Sequence, residues 1–224
     1  MKPRVILALD VDTFDKAKYF VRKLYPKIKM FKVGIQLFTA CGPKIIEFIN
    51  RSGAEVFLDL KFFDIPNTVA SAVRQAVRLK VKMLTLHILG DEEMLKLTVQ
   101  ASRDEARRFK LTRPLLIGVT VLTSKEAKSS DVLTLTRIGL DCGLDGVVCS
   151  AQEAALLREE IKKKFVIVTP GIRPAGSFSD DQKRTATVKE AMEAGSNFLV
   201  IGRPILKADI PLSAAKAILA EIGD

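Results

Sequence analysis

Asp59 and Lys61 stand two residues apart at the end of an apolar stretch that begins at Glu55. In an extended chain that spacing turns both side chains toward one face, so a carboxylate and an ammonium meet there. Lys32 and Asp64 add a second cation and a second anion. The set reads either as a structural ion pair with charged neighbours or as an alternating array built for chemistry. Carboxylates flanking a lysine favour its charged form. Lys61 therefore suits a general acid better than an amine nucleophile, which needs the neutral form.

Two turns carry a different chemistry. TPGIRP (Thr169 to Pro174) and IGRP (Ile201 to Pro204) each combine a glycine, which permits close backbone approach, with an arginine. Backbone N–H groups and a guanidinium together can share the charge of a phosphate. Asn67 follows Pro66 and reads equally as a cap for a helix beginning near Thr68, as does Thr68 itself. His87, at the end of an apolar strand, has no neighbour in sequence that would orient it as a base, and it reads as a packed residue.

The elements that must position these groups are short apolar runs separated by segments of helical period. Strands are expected at Arg4 to Leu9, Met30 to Val33, Glu55 to Leu60, Met83 to His87, Leu115 to Val119, Gly146 to Cys149, Phe165 to Thr169 and Phe198 to Ile201. Their starts recur about every 28 residues, enough for a strand, a helix and two short loops. Asp15 to Leu24 carries Ala17, Phe20, Val21 and Leu24 on one helical face, and Val69 to Leu79 carries Val69, Val73, Ala76 and Val77. No linker or composition shift interrupts the series, so residues 1–224 read as a single domain. Eight alternating units favour a closed (β/α)8 TIM barrel over an open doubly wound sheet. In such a barrel active sites lie at the C-terminal strand ends. Asp10, Lys32, Asp59, Lys61, His87, Thr120, Thr123, Ser150, Gly171, Arg173, Gly202 and Arg203 all fall at or near those ends and are expected to converge on one mouth.

Composition narrows the partners. Hydrophobic residues make up 48% and charged residues 28%, a globular mixture that excludes disorder. The net charge of +10 raises nucleic acid as a partner. The basic stretches lack interleaved aromatics, however, and a small multiply anionic substrate gains equally from a positive field. Cys41, Cys142 and Cys149 form no CxxC pair, and a lone histidine leaves no imidazole pair, so any metal would depend on carboxylates. No apolar run has the length of a signal-peptide core or a membrane helix, which points to a cytoplasmic protein without a membrane partner.

Residues Asp59 to Thr68, DLKFFDIPNT, strongly resemble the signature of the orotidine 5′-monophosphate decarboxylase family. ALDVD (Ala8 to Asp12), FKVG (Phe31 to Gly34), VTVLTS (Val119 to Ser124), TPGIRP, DDQKR (Asp180 to Arg184) and IGRPI follow in the order of the bacterial form, so the resemblance spans nearly the whole chain. It implies a cofactor-free, metal-free conversion of orotidine 5′-monophosphate to UMP and CO2, a step of de novo pyrimidine biosynthesis. Lys61 would protonate C6, with Lys32, Asp59 and Asp64 completing the charge array. Asp10 and Lys32 would hold the ribose hydroxyls and Thr123 the pyrimidine edge, while Arg173, Gln182, Gly202 and Arg203 would hold the phosphate.

The resemblance also implies a homodimer with shared active sites, in which Asp64 and Thr68 serve the partner, and it places Ile65, Pro66 and Asn67 of the signature among the substrate-binding residues. The composition from Arg173 to Arg184, with Gly176, Ser177 and Ser179, suits a mobile lid. Two departures from the family pattern stand out. Phe63 replaces a His or other aromatic, and Gly90-Asp91 replaces a common Gly-Gly. The nearest alternative sharing DxKxxD is a magnesium-dependent sugar-phosphate decarboxylase or aldolase of the same superfamily. Those relatives carry a metal-binding Glu near the end of strand two, where Lys32 would repel Mg2+. A non-catalytic nucleotide-phosphate binder would have no reason to keep both lysines between carboxylates.

Overall fold

Alternate residues of the eight apolar runs enter two different cores, and this sorting closes the sheet. A computed structural model describes residues 3–121, 129–173 and 185–223. The strands are β1 (Arg4–Ala8), β2 (Met30–Gly34), β3 (Glu55–Phe62), β4 (Met83–His87), β5 (Leu115–Val119), β6 (Gly146–Val148), β7 (Val166–Thr169) and β8 (Phe198–Ile201). They pair in chain order, all parallel, and β1 returns to β8 through registers such as Ile6 with Val200, so the barrel is closed. The open-sheet alternative is excluded.

Ile6, Ala8, Met30, Phe57, Met83, Ile117, Val168, Phe198 and Val200 point inward and fill the barrel as one cluster. Their odd-numbered or even-numbered neighbours, such as Leu7, Phe31, Leu58 and Leu84, point outward beneath the helices. Helix α1 (Phe14–Leu24) buries Ala17, Val21 and Leu24. Helix α4 (Pro66–Arg78) buries Val69, Ala70, Val73, Ala76 and Val77, the face that the sequence period specifies. Each fully buried Leu, Ile or Val contributes roughly 1.5–3 kcal/mol relative to exposure. The remaining helices are α2 (Ile35–Cys41), α3 (Lys44–Arg51), α5 (Glu92–Phe109), α6 (Ser129–Asp141), α7 (Ala151–Glu160), α8 (Val188–Glu193), α9 (Arg203–Leu206) and α10 (Pro211–Ile222). Among the described residues no helix is long and apolar enough to cross a membrane. The three cysteines are unpaired, with Cys142 and Cys149 buried.

Several expected boundaries move. β3 runs on to Phe62 and so takes in Lys61, whereas β1 and β6 stop one residue short, at Ala8 and Val148. Helix α4 begins at Pro66, with Ile65 as its N-cap and no side-chain cap. Neither Asn67 nor Thr68 caps it, because a proline's fixed φ and missing N–H already suit the first helical position. Ser150 also departs from expectation. It does not reach the mouth. Its hydroxyl accepts from the Glu153 amide while the Glu153 carboxylate accepts from the Ser150 amide, a capping box that starts α7.

Asp91 explains one departure from the family pattern. It sits at φ 53°, ψ 164°, a conformation that favours glycine, yet its carboxylate accepts from the Met94 amide at 2.7 Å and caps α5. Its neighbour Gly90 cannot change so freely, since a Cβ there would lie 2.4 Å from the Met94 side chain. Replacing Asp91 with Gly removes a cap worth only a few tenths of a kcal/mol against Gly but relieves a larger backbone cost. Asp91→Gly should therefore stabilise the fold by about 1 kcal/mol in urea unfolding. A loss of stability would show that the cap outweighs the strain.

Candidate active site

The inward series that fills the barrel continues one layer toward the C-terminal mouth, where it turns polar. Lys32 lies two residues beyond Met30, Asp59 two beyond Phe57, and Thr85 two beyond Met83. Lys32 and Asp59 open into a cavity of about 210 Å3 lined on one side by Asp10, Lys32, Asp59 and Lys61, while Thr85 is fully buried behind it. Val119, Val121, Val148, Val168 and Val200 form an apolar wall, and Gly171, Arg173, Gly202 and Arg203 complete the rim.

The charges alternate in space as the sequence suggests. Lys61 Nζ donates to Asp59 Oδ1 at 2.9 Å, Lys32 Nζ lies 3.7 Å from Asp59 Oδ2, and Lys32 Nζ donates to Asp10 Oδ1 at 3.1 Å. Asp59 retains only 14% of its side-chain exposure and Lys32 only 12%. Burial alone would raise the Asp59 pKa. Attraction to Lys32 and Lys61, with hydrogen bonds from Lys61 and Thr85, outweighs that effect and holds the carboxyl below its ordinary value. Gly34 makes room for this arrangement, because a Cβ there would stand 3.0 Å from Lys32 Nζ.

Lys61 occupies an unusual backbone position, with φ 51°. The β3–β4 register explains it. Leu58 pairs with Leu84 and Phe62 with Leu86, so Asp59, Leu60 and Lys61 together face the single residue Thr85. This bulge leaves the Lys61 amide without a strand partner, and that N–H donates to Thr85 Oγ1 at 2.9 Å. The expectation that Asp59 and Lys61 share a face holds, but a bulge and not a regular strand delivers it.

The other expected site residues divide into three groups. Asp10, Lys32, Asp59, Lys61, Arg173, Gly202 and Arg203 line the cavity. Asp64, Ile65, Pro66, Asn67 and Thr68 do not line it. All but the half-buried Pro66 are exposed, and the Asp64 carboxylate accepts from the Ile65 amide. Thr123 and Gln182 lie outside the described residues, as does most of the expected lid. His87 packs its ring 5.6 Å from that of Phe63, and burial, aided by the Lys61 charge, lowers its pKa, which favours the neutral imidazole. Among the described residues no group of three or more His, Cys, Asp or Glu side chains is placed to hold a metal. Sequence reasoning missed Thr85 and Gly34. The two-residue step from Met83 marks the first, and the FKVG motif contains the second.

The model of the orotidine 5′-phosphate decarboxylase / HUMPS family matches residues 3–218. The chain belongs to this family. Its sequence is 47% identical to the orotidine 5′-phosphate decarboxylase of Vibrio campbellii over 96% of this chain and 95% of that protein. It is 44% identical to the enzyme of that name from Geotalea daltonii, over 99% and 96% of the two chains. The fold superposes on the crystal structure of orotidine 5′-phosphate decarboxylase from Lactobacillus acidophilus with a TM-score of 0.87 and 34% identity, covering 99% of this chain and 100% of that one.

The lowered Asp59 pKa has a consequence for stability. A carboxyl whose folded pKa lies below its unfolded value stabilises the fold above the ordinary carboxylate range, and this contribution is lost as pH falls through the folded pKa. Lys61→Met removes one of the two cations responsible. The stability of wild type relative to Lys61→Met should therefore shrink as urea unfolding is repeated from neutrality down through the carboxylate range. A pH-independent difference would show that Lys61 does not hold Asp59 ionised.

Proposed function

We propose that residues 1–224 form one catalytic domain that converts orotidine 5′-monophosphate to UMP and CO2, with no metal or organic cofactor. The observation that carries this reading is the ion-paired Asp59–Lys61 couple, 2.9 Å apart at the floor of a cavity whose rim bears two Gly/Arg turns. Breaking the bond between C6 and the carboxylate leaves an electron pair on a carbon that the ring delocalises poorly. A fixed ammonium stabilises that charge more in the transition state than in the substrate, and Lys61 Nζ then gives C6 its proton. Lys32 and Asp10 would hold the ribose hydroxyls, Thr123 the pyrimidine edge, and Arg173, Gln182, Gly202 and Arg203 the phosphate. The valine wall opposite the charges gives the departing CO2 an apolar surface. The Mg2+-dependent alternative is not favoured, because the Lys32 ammonium stands beside Asp59 where a metal would need an anion. Three unpaired thiols suit a cytoplasmic setting.

Incubation with orotidine 5′-monophosphate in excess EDTA should produce UMP, followed by the change in pyrimidine absorbance. Lys61→Ala should lower kcat/KM by at least about 1,000-fold without changing the circular dichroism spectrum. Inertness in EDTA with recovery on adding Mg2+ would overturn the reading.

The reading includes a homodimer with shared sites. Asp64 and Thr68 lie outside their own subunit's cavity, and Ile35, Phe63, Ile65 and Leu89, each more than half exposed, lie at or just beyond the C-terminal ends of β2, β3 and β4. Apolar side chains of that size left open to water suit a second copy of the chain. Asp64, Ile65, Pro66, Asn67 and Thr68 would then complete the neighbour's substrate site. Mixing inactive Lys61→Ala and Asp64→Ala subunits should restore activity through heterodimers that hold one intact site. Verified subunit exchange without recovery would exclude shared sites.

A further inference from the structure

Thr85 is the sole β4 residue opposite the three β3 residues Asp59, Leu60 and Lys61. It is fully buried, and it faces inward with Asp59 and Lys61. A threonine hydroxyl has one hydrogen to donate and lone pairs to accept with. Here both functions are used on the two residues of the reacting couple. Thr85 Oγ1 donates to Asp59 Oδ1 at 2.9 Å and accepts from the Lys61 main-chain N–H, also at 2.9 Å. Asp59 Oδ1 is the same oxygen that receives Lys61 Nζ.

We propose that Thr85 is a positioning residue for the decarboxylation, one that fixes both the orientation of the Asp59 carboxylate and the backbone from which Lys61 reaches it. The proposal rests on the functional reading given above. Two features make the hydroxyl necessary to the geometry. Lys61 holds φ 51°, a positive value that non-glycine residues adopt at some cost and that here lies within a strand and not at a helix end. The bulge also removes the strand carbonyl that would otherwise accept the Lys61 amide, so without Oγ1 that part-buried donor loses its partner. The couple would then be free to rotate, and Lys61 Nζ would spend less time where C6 needs it. Thr85 does not itself line the cavity and acts only through Asp59 and Lys61, so its loss should fall mainly on kcat and less on substrate affinity.

The test separates hydroxyl from volume. Thr85→Val keeps the shape and removes the hydrogen bonds, whereas Thr85→Ser keeps the bonds and removes a methyl. With orotidine 5′-monophosphate, Thr85→Val should lower kcat about 10- to 100-fold with KM within about threefold of wild type, and Thr85→Ser should recover most of the rate. In parallel, NMR should show faster exchange of the Lys61 amide proton in Thr85→Val than in Thr85→Ser. If Thr85→Val does not fold, Thr85→Cys takes its place, because a thiol of similar volume bonds only weakly. Equal kcat in the Val (or Cys) and Ser variants, or a loss confined to KM, would overturn the positioning role while leaving the function intact. A wild-type chain inert toward orotidine 5′-monophosphate would overturn the functional reading. In that event unchanged exchange of the Lys61 amide would overturn the hydroxyl's structural part as well.

Discussion

A carboxylate removed from most of its water and held between two ammonium groups is the constraint that organises this molecule. Asp59 would be costly to keep ionised in the barrel's upper layer were it alone. Lys32 on β2 and Lys61 on β3 make its charge tolerable, and Asp10 on the loop after β1 in turn balances Lys32. Three neighbouring β/α units must therefore keep their mutual register for the array to survive. Parallel pairing of β1, β2 and β3 supplies that register through uninterrupted main-chain bonds, including Ala8 with Lys32 and Gly34 with Asp59. The lower barrel, packed with Ile6, Met30, Phe57 and Met83, is the rigid floor on which the charges stand.

The cavity is divided between two kinds of surface, and the division follows strand number. Strands β2 and β3 and the loop after β1 bring carboxylates and ammonium groups, while β5 to β8 bring valines from their inward positions. The Gly/Arg turns after β7 and β8 close the ring with groups suited to an oxyanion. The layout suits a small molecule that carries an anionic group at one end for the turns and an apolar flank for the valines.

Much of this was legible in the residues because it depends on period. Inward and outward positions, the buried faces of α1 and α4, the eight units and the strand-end charges all follow from counting in twos and threes-and-fours. What escaped depends on relations between segments. The β3–β4 bulge could not be read from β3 alone, since the deficit lies in its partner, and Thr85 gained its importance only through that mismatch. Ser150 counted among the polar strand ends because a helix cap and a site hydroxyl occupy the same place in sequence. Asp64 carries the right charge in the right motif, but it is exposed and does not line its own chain's cavity, and no period in the sequence reports that placement.

The bulge in β3 adds two residues, not one. Their accommodation is local, because regular pairing holds up to Leu58 and resumes at Phe62. Two leave the pleat's parity untouched, and Phe62 meets Leu86 on the outer face as though nothing had been inserted. The stretch Asp59 to Lys61 therefore holds three residues where the register needs one. A deletion of two of them would take away at least one member of the charged couple without turning any downstream residue inside out. The pleat beyond the bulge thus keeps its facing whatever residues the bulge carries.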